Sequence, residues 1–428
     1  MRSLSTAASW VAAVALLICH AVFATDAAAA TPKSAKATVL PGIDVLESLD
    51  FAPLRGKRVG VLTNPTGVTR AGEPTWRRLA RAPGVKVVAL FGAEHGFDGR
   101  ARAGVEVPNA IEPSTRLPIY SLYGQGPLRR PTPRMLEGID VMVYDIQDTG
   151  CRSYTYISTL GLMLDACGAA GVAVMVLDRP NPLGGTRVEG ARLDPRFKSF
   201  VGQWPIPYAY GLTAGELARM IQGERWITNR CALTVVPMRG WTRSMTWNDT
   251  GLRWVASSPN VPYGNSPLYL VATGMLGEIG GVNLGTGSPL SFQIIGAPYL
   301  DPRRLAAALN AQKLSGVTFH PFAQDMNRSE ADGQEVRGVR LEFTRPDTAP
   351  LVAINLYALE AIKKTSGRDL FRQAVSRGKS WTMFDKVAGS DSLRRQLQAG
   401  RSAKDIVRSW RTDEVAFRER RQPYLLYP

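Results

Sequence analysis

Four times along this chain a short apolar run breaks off into a polar, turn-rich loop. Residues 57–63 (KRVGVLT) lead into Asn64-Pro65-Thr66-Gly67, and residues 85–91 (VKVVALF) into Gly92-Ala93-Glu94-His95-Gly96. Residues 139–146 (IDVMVYDI) lead into Gln147-Asp148-Thr149-Gly150, and residues 172–177 (VAVMVL) into Asp178-Arg179-Pro180-Asn181-Pro182. Runs this short, rich in valine and without polar alternation, are the pattern of strands buried on both faces, as in parallel sheets. Helical stretches separate them, at residues 73–81, 154–170 and 213–222, so the expected fold class is α/β, a doubly wound and mainly parallel sheet. Ligands of such sheets bind beyond the carboxyl ends of the strands. Glu94, His95, Asp145, Asp148, Arg152, Asp178 and Arg179 are therefore expected on one rim.

At 428 residues the chain exceeds a typical single core, so two domains are expected. Residues 39–240 hold the βα alternation. Residues 241–428 begin with a loop-rich stretch to about residue 267 and continue as a mixed α+β region. There, residues 317–321 and 339–344 read as strands, and residues 302–312, 351–364, 392–399 and 403–418 as helices. Residues 1–30 read as a signal peptide: Arg2 supplies a basic start, residues 10–23 an apolar run, and Val22-Phe23-Ala24 or residues 27–30 a small-residue cleavage site. The apolar run is shorter than the roughly 20 residues of a membrane span, so the expectation is export to the periplasm or medium without membrane insertion. Residues 31–38 read as a linker.

Without residues 1–30, the chain keeps three cysteines, Cys151, Cys167 and Cys231, and two histidines, His95 and His320. No CxxC pair occurs, and two histidines do not make a multi-histidine metal centre, so neither a disulfide framework nor a metal is expected. No Gly-x-Gly-x-x-Gly or Walker A motif follows the first strand, so no nucleotide cofactor is expected. The net charge of +16 suits an anionic polymer such as a cell wall. The chain has no basic run interleaved with aromatics, so nucleic acid is not expected.

Chemistry is left to carboxylates. Glu94, at a strand end and shielded by aromatics, has the setting of a general acid, with His95 beside it. The segment from Asp145 to Tyr156 offers Asp148, Arg152, Tyr154 and Tyr156 together, and one Asp–Arg pair is expected to hold its loop. Asp178-Arg179-Pro180-Asn181-Pro182 reads as a rigid wall with Asn181 as a hydrogen-bonding group, and Ser258-Pro259-Asn260 as a similar wall. Thr213 and Glu216 form a capping-box pattern, which makes Glu216 structural.

In this order, the segments TNPTGV, LFGAEHGF, LPIYSLYG, YDIQDTGCRSYTYISTL, VLDRPNPLGG, GLTAGELA, SPNVP and IGAP, with FDKVAGSDSLRRQL and YLLYP in the tail, resemble the exo-β-N-acetylmuramidase family. The resemblance spans the chain beyond its leader. It implies a Rossmann-like N-terminal domain without a nucleotide, a smaller C-terminal domain, and a cleft between them. The implied activity is removal of terminal N-acetylmuramic acid, or a related amino sugar, from peptidoglycan fragments. By position it marks Glu94 as the leading catalytic acid, with His95, Asp148, Arg152, Tyr154, Asp178, Arg179 and Asn181 in the cleft. Together with the reading of the residues, this makes His95 and Asp148 further catalytic candidates and Asn64, Glu106, Arg152, Tyr154, Tyr156, Asp178, Arg179, Asn181 and Asn260 substrate-binding candidates. The second carboxyl is Glu106, Asp148 or Asp178. Where the family pattern reads Ser-Glu-Gly-Arg-Gly-Thr, this chain has Asn283-Leu284-Gly285-Thr286-Gly287-Ser288. Losing an arginine there bears on recognition of the muramic lactyl carboxylate, which a guanidinium fits well. The alternative reading is a peptidoglycan- or sugar-binding protein of the same fold with impaired catalysis.

Overall fold

A computed structural model describes residues 39–124, 129–325, 335–376 and 382–428; the expected signal peptide and linker lie outside them. Seven strands form the principal sheet: β1 (Arg58–Thr63), β2 (Lys86–Gly92), β3 (Ala110–Ile111), β4 (Pro118–Ser121), β5 (Val141–Asp145), β6 (Ala173–Leu177) and β7 (Leu233–Val236). Their spatial order is β3-β4-β2-β1-β5-β6-β7. Every pairing is parallel except the β3–β4 edge. With that edge strand set aside, the order is that of a dinucleotide-binding doubly wound sheet. Its switch point lies between β1 and β5, where the chain turns from one half of the sheet to the other.

Burial on both faces explains the continuous apolar runs. Val59, Val61, Val141 and Val143 pack on one side with Ile43, Leu46 and Trp76. Leu62, Met142 and Tyr144 alternate to the other side, against Ile157, Leu160 and Leu217. The helices expected around residues 154–170 and 213–222 are Tyr156–Ala169 and Ala214–Gly223, the second opened by the Thr213–Glu216 capping box.

A smaller antiparallel sheet, β8 (Ile294–Ala297), β9 (Val317–Asp325) and β10 (Glu335–Phe343), has the order β8-β10-β9. Its core includes two helices, Ser266–Ile279 and Leu351–Ser366. The first of these carried no sequence signal, because it is buried on almost every side and so lacks the apolar stripe that marks an amphipathic helix. The described residues belong to one compact unit, and the C-terminal tail ties the two sheets' surroundings together. Tyr427 donates its hydroxyl to Asp178 (2.5 Å), Leu426 its amide to Glu216 (2.9 Å), and Arg421 a guanidinium nitrogen to the carbonyls of Tyr210 (3.0 Å) and Gly211 (2.7 Å).

Candidate active site at the carboxyl rim of the sheet

The loops after β1 and β5 meet at the switch point and fill it with their own side chains. Asn64 Oδ1 accepts from the amide (2.9 Å) and hydroxyl (2.6 Å) of Thr66, whose oxygen in turn accepts from the amide of Gln147 (2.8 Å). Gln147 Nε2 crosses to the carbonyl of Pro180 (2.7 Å) in the loop after β6. The Asp–Arg pair that holds this rim is Asp145 with Arg179, at 2.5 and 2.9 Å. Thr75 adds a hydroxyl at 2.5 Å, and Arg179 also reaches the Val68 carbonyl (2.7 Å). A side chain at Gly67 would meet the Asp145 carbonyl at 2.6 Å, so the loop after β1 closes only around glycine. The crevice in which related sheets cradle a pyrophosphate is thus occupied by protein.

One strand further out, the turn after β2 presents Glu94. His95 and Gly96 both take positive φ (69° and 82°), an uncommon conformation for a histidine and one that concentrates at functional sites. His95 Nδ1 and the Ala101 carbonyl (2.8 Å) hold that turn closed, and the imidazole sits edge-on to Tyr156 at 6.5 Å. Two segments hold the Glu94 carboxylate: its Oε1 accepts the Gly104 amide (2.9 Å) and its Oε2 the Thr155 hydroxyl (2.5 Å), and its charge acts on the Tyr123 phenol. Partial burial, with the negative charges of Glu94 and Glu106, pushes the Tyr123 phenol up, against the opposing charge of Arg129. Glu106 itself is exposed.

Tyr154 and Tyr156 stack edge to face at 4.8 Å and continue the same wall. Tyr156 donates to the Ser257 carbonyl (2.5 Å) and Tyr154 to the Ser257 hydroxyl (3.0 Å). The next turn of that wall is Asn260, whose Oδ1 accepts the Gly287 amide (3.0 Å) and whose carbonyl accepts the Ser291 hydroxyl (2.9 Å). The altered 283–288 loop is therefore docked on the same wall as the two tyrosines.

Other residues expected to face substrate have structural partners instead. Arg152 is wholly buried and donates to four carbonyls, those of Ala191 (3.0 Å), Ile206 (2.7 Å), Val387 (3.1 Å) and Ala388 (2.7 Å). It joins the first sheet's surroundings to the helix Thr382–Ala388, and burial lowers its pKa to about 10. Asp178 accepts from the amides of Arg179 (3.1 Å) and Gly215 (2.8 Å) and the hydroxyls of Thr213 (2.7 Å) and Tyr427 (2.5 Å), so it organises a helix start and the chain's last turn. Asn181 bonds the Leu212 carbonyl (2.9 Å) and the Leu183 amide (2.9 Å), both protein groups. Asp148 accepts the Gly150 amide (2.7 Å) and the Tyr210 hydroxyl through Oδ2, while Oδ1 is buried without a hydrogen bond from the described residues. Burial raises the pKa of Asp148 and that of Asp178 to about 6. The structure brings Glu94, His95, Tyr154, Tyr156 and Asn260 into one connected wall. It assigns Arg152, Asp178, Arg179 and Asn181 to the framework.

Sequence reasoning passed over Thr155 and Tyr123. Thr155 lies one residue from each tyrosine of YTY and opens the helix Tyr156–Ala169, where a lone threonine reads as a cap. Tyr123 sits in LPIYSLYG, a segment that carried the resemblance but no role. Among the described residues, no group of three His, Cys, Asp or Glu side chains is placed to hold a metal. A cavity of about 430 Å³ opens elsewhere, between residues 183–189 and the C-terminal helices near Trp410 and Glu414, and contains none of the Glu94 contacts.

Residues 59–265 match the family model described as exo-beta-N-acetylmuramidase NamZ, N-terminal, and residues 268–427 match its C-terminal counterpart. The chain is 39% identical over 406 residues to the peptidoglycan beta-N-acetylmuramidase NamZ of Bacillus subtilis, covering 94% of this chain and 95% of that protein. Two crystal structures of DUF1343 family proteins from Bacteroides fragilis superpose on it. One has 40% identity and a TM-score of 0.86 over 92% of this chain and 100% of its own. The other has 29% identity and a TM-score of 0.72 over 91% and 99%. With both halves of the family matched in order along nearly its whole described length, this chain belongs to the NamZ exo-β-N-acetylmuramidase family.

Proposed function

We propose that this chain is an exported glycoside hydrolase that removes terminal N-acetylmuramic acid from the non-reducing ends of peptidoglycan fragments, with Glu94 as the proton-transferring carboxyl. The observation that carries the reading is the convergence of the Gly104 amide and the Thr155 hydroxyl on the two oxygens of Glu94, from two different segments. Such a carboxyl is held in one orientation by groups that do not depend on substrate, which is the preorganisation that proton transfer needs. To act as acid, Glu94 must turn one oxygen from acceptor to donor.

Glycosidases generally employ a second carboxyl on the other side of the scissile bond. Of the three considered, Asp148 and Asp178 are buried in protein hydrogen bonds, whereas Glu106 is exposed and acts electrostatically on the same phenol as Glu94. Glu106 is therefore the partner we favour. Export rests on the sequence of residues 1–30, and no helix among the described residues is long and apolar enough to cross a membrane.

The test is turnover of chromogenic aryl β-glycosides of N-acetylmuramic acid and N-acetylglucosamine by the protein and its Glu94→Gln variant. Release from the muramic substrate, abolished in the variant, is the expected result. If both proteins are silent but muropeptides still bind in a calorimeter, the chain is a binding protein, the reading that the altered 283–288 loop favours.

A further inference from the structure

Every arginine named so far at the rim is engaged: Arg152 by four carbonyls and Arg179 by Asp145 and Val68. Arg129 is different. Its guanidinium carbon lies 3.9 Å from the ring centroid of Tyr123 and 6.0 Å from that of Phe200, two rings that pack at 5.8 Å. It donates one hydrogen bond, from Nη1 to the Gly124 carbonyl at 3.0 Å, and among the described residues no carboxylate forms an ion pair with it. The four residues before it, Gln125, Gly126, Pro127 and Leu128, contain no acid. Arg129 is half-buried, and both its charge and that of Glu94 act on the Tyr123 phenol.

A guanidinium held flat against an aromatic face keeps its in-plane N–H groups directed outward, where they match both oxygens of a carboxylate. Among the described residues no carboxylate is paired with Arg129. The substrate in the proposed reaction supplies one, on the lactyl ether of the muramic residue. The 283–288 loop, docked on Asn260, has no arginine for that role. We propose that Arg129 is the specificity-determining residue that binds the free lactyl carboxylate. This rests on the muramidase reading above and adds to it where the substrate's charge is read. The terminal sugar then lies with its lactyl arm toward Tyr123 and Arg129, and its glycosidic oxygen toward Glu94.

Three aryl β-glycosides test this: N-acetylmuramic acid, its lactyl carboxamide, and N-acetylglucosamine, which lacks the arm. Each is assayed with the wild-type protein, Arg129→Met and Arg129→Lys at two ionic strengths. A charge-assisted bond of this kind is worth about 10- to 100-fold in kcat/KM. The expected result is a loss of that size for Arg129→Met on the acid, carried mainly by KM, with much smaller losses on the two neutral substrates. Arg129→Lys recovers part of the loss, since it keeps the charge without the planar fork. Added salt raises KM for the acid in the wild type but not in Arg129→Met. Equal losses on all three substrates would overturn the proposal and make Arg129 a support for Tyr123. Unchanged kinetics on the acid would overturn it while leaving the muramidase reading intact. Wild-type silence on all three substrates removes that reading and this inference with it.

Discussion

Asp148 offers a test in which the structure sets both the sign and the size of the effect. Its carboxyl is buried, accepts from Gly150 and Tyr210 through one oxygen, and leaves the other without a donor among the described residues. Burial raises its pKa from 3.8 to about 6. Between those values the folded protein holds a proton that the unfolded chain has released, so stability falls as pH rises. The contribution is fully present below about pH 4 and is lost by the time pH passes about 6. Two units at 1.36 kcal/mol each make this about 3 kcal/mol. Asp148→Asn removes the titration and keeps the shape. The amide nitrogen, placed where Oδ1 now lies, would add a roughly constant penalty of about 1–3 kcal/mol for an unsatisfied donor. That penalty does not vary with pH, and Asp178, which has the same shift, titrates in both proteins and cancels. Urea unfolding at half-unit steps from pH 4 to 7.5 therefore yields a variant-minus-wild-type difference that climbs by about 3 kcal/mol in favour of the variant and flattens above pH 6. A flat difference across the whole range would refute the argument, because it would mean that Asp148 titrates alike in the folded and unfolded chains. The same variant bears on mechanism. Retained turnover places Asp148 in the framework, whereas loss of activity in a stable variant returns it to the list of catalytic carboxyls.

Thr155→Val keeps the branched shape but removes the hydroxyl bonded to Glu94, so kcat on the muramic substrate should fall about 10- to 100-fold with a smaller change in KM; an unchanged kcat would show that Thr155 does not position the acid. Arg152→Met leaves four carbonyls without their donor, at roughly 1 kcal/mol or more each. Its urea midpoint should drop by the equivalent of about 4 kcal/mol, and a drop below about 1 kcal/mol would deny it the strut role. Gly67→Ala forces a side chain onto the Asp145 carbonyl and should destabilise by about 2–3 kcal/mol in the same assay. It should also reduce turnover, because the rim that carries Asn64 and Gln147 must open to admit it.

Much of the layout was legible without coordinates. Unbroken valine-rich runs ending in Asn64, Glu94, Gln147 and Asp178 announced a parallel sheet with its chemistry at the carboxyl ends, because two-sided burial leaves no polar alternation and short loops leave polar groups only at strand tips. The Thr213–Glu216 box was legible too, since a capping pattern is local. Helix Ser266–Ile279 was not, as a segment buried all round has no period to detect.

At the site, the amino-acid order alone determined that Glu94-His95-Gly96 would form a turn at a strand end and that the YTY segment would follow the β5 loop. It could not say which charged groups would remain available. Asp145, Asp148, Arg152, Asp178 and Arg179 look equally chemical on paper. Whether such a group serves substrate or framework depends on what lies within about 3 Å of it, and those partners come from residues dozens to hundreds of positions away: Val387 and Ala388 for Arg152, Tyr427 for Asp178, Tyr210 for Asp148. Tertiary packing satisfied those groups internally because a buried charge without partners is too costly to keep. Glu94, held by Gly104 and Thr155, and Arg129, backed by two rings, are the groups for which we propose a substrate role.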